Sequence, residues 1–152
     1  MNRIIEFEGK IKELTINDRL SWDEYFMSLC VLTASRSPSK KLKVGALIVK
    51  NNRIISSGYN GFPSGLPHIS IERDNHEQNT IHAEQNAISD AAKRGVSVNE
   101  STIYITHYPC INCLKYILSS GISTIKYLHD YKNDEIIPKI IENTNLTITK
   151  YL

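Results

Sequence analysis

A chain of 152 residues, 41% hydrophobic and 22% charged, has the length of one domain with a single core and the composition of a soluble globular protein. Its net charge of +2 is spread along the sequence, which argues against wrapping a long nucleic acid, where clustered positive charge dominates affinity. No apolar run approaches the ~20 residues needed to cross a bilayer. The start, MNRIIEFEGKIKEL, lacks the apolar centre of a signal peptide, so the expected location is the cytoplasm, with no membrane partner.

Residues 1–20 read as an N-terminal extension carrying a short helix, ahead of a domain over 21–152. Ser21 followed three residues later by Glu24 is a capping box, and Trp22, Tyr25, Phe26, Leu29 and Cys30 then recur at helical spacing, predicting a helix over 22–35. Cys30 falls on that apolar face and reads as core filler. Lys40, Lys41 and Lys43 form the one basic cluster and read as a solvated loop. Val44–Val49 and Arg53–Tyr59, joined by Asn51-Asn52, read as a hairpin. A long loop rich in breakers runs from 61 to about 80, as functional lids and binding loops do.

A helix over 82–94 closes at Gly95, followed by a strand over Thr102–Thr106 and a helix over 111–119 that ends at Gly121. Thr124–Leu128 is a further strand. Pro138 suits the first turn of a last helix over 137–143, before a final strand at Leu146–Lys150. Strand and helix alternate through the second half. This predicts an α/β fold, a three-layer α/β/α sandwich on a five-stranded mixed sheet whose later strands are parallel.

The residues that carry chemistry are His82, Glu84, Cys110 and Cys113. One imidazole and two thiolates make three zinc ligands, and a three-ligand zinc keeps a fourth position for water. Positions 110 and 113 are three apart, so one helical turn brings both sulfurs to one face. Both motifs sit at helix starts, whose partial positive charge lowers thiol pKa values. Histidine, glutamate two later, then Pro-Cys-x-x-Cys is a signature of zinc nucleobase deaminases, with the glutamate moving protons rather than binding metal. Two other readings compete. A structural zinc site needs a fourth Cys or His, for which Cys30, His68, His76, His107 and His129 are the spare residues. Thiol redox chemistry at Cys110 and Cys113 explains neither His82 nor Glu84.

Three segments, SRSPSKKLKVGALIV at 35–49, SGYNGFPSG at 57–65, and HAEQNAI with YPCINC, make the chain resemble the cytidine deaminase superfamily and, within it, the deoxycytidylate (dCMP) deaminases. HDYKND at 129–134 adds to the likeness. The resemblance implies a cytidine deaminase-like fold and hydrolysis of dCMP to dUMP and ammonia, with His82, Cys110 and Cys113 on one zinc ion and Glu84 as proton shuttle. It implies that Asn60 and the Ala83 backbone N–H bind the nucleotide, with Tyr108 and Tyr131 as walls. A few cationic or hydroxyl groups must reach the phosphate, and Lys132, Arg73 and Tyr131 are the candidates. Members are usually homohexamers activated by dCTP and inhibited by dTTP, and a triphosphate effector brings Mg2+ with it. Arg36, Gly45 and Gly61 lie in segments similar to those near that effector. Phage and large-virus members, acting in the host cytoplasm, also resemble this chain, and some accept dCTP as substrate. Gln85 and Leu114 depart from the common pattern, and the long loop offers His68 and His76 but no cysteine for a second zinc. The rival functions are base deamination in tRNA, deamination of a free nucleoside, and a zinc-stabilised binding domain without turnover.

Overall fold

The computed structural model describes residues 2–151, so residues 1 and 152, the outer ends of the expected extension and domain, lie outside it. Helix α1 (Arg3–Thr15) is followed by α2 (Trp22–Ala34), which opens on the predicted capping box. Ser21 Oγ accepts the Glu24 N–H at 3.2 Å, and the Glu24 carboxylate accepts the Ser21 N–H at 2.6 Å. Strands β1 (Gly45–Lys50) and β2 (Arg53–Tyr59) form the hairpin, with Asn51 and Asn52 both at positive φ as its turn requires.

The long loop is not featureless. It holds two-residue strands β3 (Glu72–Arg73) and β4 (His76–Glu77), turned by Asp74 and Asn75 at positive φ. Strands this short leave no periodicity to read in a sequence. Then come α3 (Ala83–Lys93), β5 (Thr102–His107), α4 (Ile111–Ser119), β6 (Thr124–His129), α5 (Ile136–Ile141) and β7 (Thr147–Lys150).

The main sheet has five strands in the order β2-β1-β5-β6-β7. β1 runs antiparallel to both β2 and β5, while β5, β6 and β7 are parallel, giving the expected mixed sheet. Alternate side chains feed its two faces. Leu47, Val49 and Tyr104 meet Phe26, Met27 and Cys30 of α2. Ala46, Ile48, Ile103 and Ile105 meet Ala87 and Ala91 of α3, Leu114 and Ile117 of α4, and Ile137 of α5. Three layers result, with one helix on one face and three on the other.

Two glycines set how closely helices approach the sheet. A Cβ on Gly45 would lie 2.2 Å from the Cys30 carbonyl of α2, and one on Gly58 would lie 2.5 Å from the Ala83 carbonyl and the Ala87 nitrogen of α3. Across the α2 face, Asp23 accepts bonds from the Tyr104 hydroxyl at 2.6 Å and from Lys126 Nζ at 2.6–2.7 Å, tying α2 to β5 and β6. No helix among the described residues is long and apolar enough to cross a membrane.

Candidate active site

His82 and Cys110 are N-caps in extended conformation, each one residue before its helix, rather than first-turn residues. The end of β5 and the starts of α3 and α4 therefore meet at one end of the sheet, with α4 following directly from β5. Gln85 has a local purpose. Its Oε1 accepts the His82 N–H at 3.0 Å, holding the imidazole's backbone at the mouth of α3. Leu114 is fully buried in the core beneath α4.

His82 Nδ1 lies 3.6 Å from Cys110 Sγ and 3.4 Å from Cys113 Sγ, and all three ligand atoms fall within 4.8 Å of one another. Zinc bonds of about 2.3 Å to sulfur and about 2.05 Å to nitrogen make the edge of a tetrahedron about 3.6 Å long. The donor triangle fits that ion. Among the described residues no other group of three Cys, His, Asp or Glu side chains converges in this way. The two thiols are hydrogen-bonded to each other. A hydrogen bond from Cys113, with a further contribution from His82, holds the Cys110 thiol down at about 4 against its burial, while the same bond and burial push Cys113 up. His82 is raised, chiefly by its bond to Cys110.

Glu84, in the first turn of α3, is 4% exposed. Burial pushes its carboxyl above the usual range, although its own amide, His82 and the Cys113 thiol pull it back. A buried acid beside a donor triangle with an open side has the character of a proton carrier.

These groups line a cavity of about 210 Å³ with Leu42, Val44, Asn60, Ala83, His107, Tyr108 and Tyr131. The structure thus gathers His82, Glu84, Cys110, Asn60, Ala83, Tyr108 and Tyr131 at one cleft. Asn60 is already engaged by backbone. It accepts the Val44 N–H at 2.8 Å and donates to the Leu42 carbonyl at 2.9 Å, shaping the wall as well as facing the cavity. Tyr108 packs edge-on against Tyr127 at 4.9 Å. Lys132 lies 5.4 Å over the ring of Tyr131, at the rim, whereas Arg73 sits on the exposed β3 and does not line the cleft.

Arg36 lines a separate hollow of about 420 Å³ with Tyr59, Asn86 and Asp90. Gly45 is buried beneath α2, and Gly61 packs against Pro38 in the lining of a third hollow. His68 stacks on Phe62 at 5.0 Å, and His76 Nδ1 lies 2.7 Å from the Asp74 carbonyl.

His107 is the residue that sequence reasoning missed. It appeared only as a spare metal ligand, yet it lines the cleft, packs on His129 at 5.2 Å and meets the edge of Tyr131 at 5.9 Å. Thr106 Oγ1 lies 2.9 Å from its Nδ1, and burial, then His129, lowers its pKa. The signal was there in principle: His107 ends the strand that leads straight into Pro109-Cys110.

A family model for the cytidine and deoxycytidylate deaminase zinc-binding region matches residues 20–129. ComE operon protein 2 of Bacillus subtilis is 43% identical over 135 residues, covering 86% of this chain and 71% of that protein. Deoxycytidylate deaminase of Saccharomyces cerevisiae is 36% identical over 154 residues and 95% of this chain, which spans about half, 49%, of the yeast protein. The crystal structure of dCMP deaminase from cyanophage S-TIM5, in complex with dCMP and dUMP, matches with a TM-score of 0.76 at 32% identity, covering 85% of this chain and 96% of that one. Sequence match, shared fold and the donor triangle agree: the chain belongs to the cytidine and deoxycytidylate deaminase family.

Proposed function

We propose that this protein hydrolyses dCMP to dUMP with release of ammonia, using His82, Cys110 and Cys113 to hold one zinc ion. The observation that carries the reading is the donor triangle of tetrahedral dimensions beside a buried Glu84. Bound there, zinc supplies Lewis acidity and lowers the pKa of a water at its open position toward about 7.

The chain's own residues do the rest. Glu84 takes a proton from the attacking water and gives it to N3 of the pyrimidine as the oxygen bonds to C4. It then carries a second proton to the amino group, so the C4–N bond breaks and ammonia leaves. Desolvation favours its neutral form and makes it a willing acceptor. The Ala83 N–H, at the first position of α3, has no intrahelical partner and suits the pyrimidine carbonyl. Asn60 meets the sugar, and Tyr108, Tyr131 and His107 wall the cleft, with Lys132 at its rim for the phosphate.

Regulation belongs to the same proposal: dCTP with Mg2+ activates and dTTP inhibits, through the hollow beside Arg36 or the loop at Gly61. Gly45 also makes the close contact with α2. The assembly is a homohexamer acting in the cytoplasm, where reducing conditions keep Cys110 and Cys113 out of disulfides and available to the metal. Ammonia release from zinc-loaded protein given dCMP, dCTP, cytidine or a tRNA stem-loop tests the substrate. Release from dCMP is expected, accelerated by added dCTP. Turnover of cytidine or tRNA alone would overturn the nucleotide assignment, and release from none of the four would leave a binding domain.

A further inference from the structure

Helix α1 lies outside the stretch matched by the family model and has no buried residue. Four of its five large apolar side chains nonetheless form one stripe, with Ile5 beside it. Ile4, Phe7, Ile11 and Leu14 follow at steps of three, four and three, and each is exposed, from 41% at Ile11 to 78% at Leu14. That spacing is a heptad seam, with Ile4 and Ile11 at the a positions and Phe7 and Leu14 at the d positions. Ile at both a positions, with Leu14 at one d position and Phe7 at the other, suits a two-stranded pairing.

The charges flanking the seam choose the partner and the direction. Arg3 and Lys10 fall at g, and Glu8 falls at e. A parallel, in-register pair sets Arg3 of one copy against Glu8 of the other, twice by symmetry. An antiparallel pair would instead oppose Lys10 to Lys10 and Glu8 to Glu8. Within its own helix Glu8 uses Oε1 for Lys12 at 2.7 Å, which leaves the second oxygen for Arg3 of the other chain. Gly9 falls at f, on the outer face, where an added Cβ would meet nothing within 4 Å. A lipid surface fits less well. Three acidic residues offset three basic ones along α1, whereas helices that lie on anionic membranes are basic on their polar face.

We propose that α1 is a pairing arm that docks in parallel on α1 of a second copy of this chain. Two heptads do not hold two chains on their own, so contacts between the domain bodies must bring the arms together. Exposed Trp22, Tyr25 and Leu32 on the outer side of α2 offer apolar area for that contact.

Cysteine cross-linking in the full, zinc-loaded chain tests the arm directly. Under mild oxidation Leu14→Cys should form disulfide-linked dimers at least about tenfold faster than Gly9→Cys or the unsubstituted protein. Adding Arg3→Glu to Leu14→Cys should slow it about fivefold. Adding Glu8→Arg as well should restore the rate. An acid at the start of a helix stabilises that helix, so the slowing cannot come from melting α1. Equal rates for Leu14→Cys and Gly9→Cys would overturn the proposal. So would a mixture of Ile4→Cys and Leu14→Cys that links to each other faster than Leu14→Cys links to itself, which is the antiparallel result. Sedimentation with phosphatidylserine vesicles that is lost in Phe7→Glu would assign the arm to membranes and also overturn it.

Discussion

Glu84 and Cys110 separate proton transfer from metal retention within a few ångströms. Glu84 is buried and lies outside the donor triangle, so Glu84→Gln keeps the ligands and removes the proton carrier. That variant should hold one zinc per chain and lose about three orders of magnitude or more in kcat, a loss on the scale of general acid–base catalysis. Metal content by atomic absorption and ammonia release measured on one preparation check both halves. Cys110→Ser should do the reverse at the first step and lose zinc during dialysis, because a serine hydroxyl stays un-ionised at neutral pH and binds zinc far more weakly than a thiolate. A full zinc complement in that variant would remove Cys110 as a ligand.

Among the elements, the approach of α3 to β2 places His82 and Glu84, and Gly58 permits it. A methyl group there would sit 2.5 Å from two backbone atoms of α3, neither of which can swing away like a side-chain tip. Gly58→Ala should therefore push α3 off the sheet and cost about 1–3 kcal/mol, the range for overpacking. Because His82, the N-cap of α3, is one of the three ligands, zinc affinity should fall along with the unfolding midpoint. Chemical denaturation and competition with a zinc chelator read the two effects. Normal zinc affinity in a destabilised variant would show that the site tolerates movement of α3.

For the whole molecule, the α2 layer is pinned to the sheet by Asp23, which faces Lys126 and the Tyr104 hydroxyl. Partial burial raises the Asp23 pKa, but the bonds from Lys126 and Tyr104 outweigh it, and the net direction is down. A carboxylate lowered in the folded state stabilises the fold above its unfolded pKa of about 3.9 and loses that contribution as pH falls through the folded value. Asp23→Asn should thus lower stability at neutral pH, with the gap to the unsubstituted protein closing as pH falls below about 3.9 and through the lowered folded value. Solvent screening at side chains 28% and 37% exposed keeps the loss to about 1 kcal/mol or less. Thermal unfolding across pH measures it, and a gap that stays constant down to acid would assign the effect to packing.

Local pattern alone determined a good deal of this protein. The capping box at Ser21 and Glu24 needs only neighbours three apart, and so does the pairing of Cys110 with Cys113. Apolar periodicity likewise placed all five strands of the main sheet, because each alternates or runs apolar over a span long enough to read. The triad of His82, Glu84 and Pro-Cys-x-x-Cys named the chemistry, since few functions need those donors with a nearby acid. Tertiary structure decided what depends on distance through space. The N-cap placement of His82 and Cys110, the engagement of Asn60 by Val44 and Leu42, and the presence of His107 in the cleft all arise from chain segments far apart in sequence. Gly45 and Gly58 are of the same kind, since the helices they touch are invisible from their own flanking residues. Short-range propensity carries no information about which remote surfaces will meet, and the cleft is made where they do.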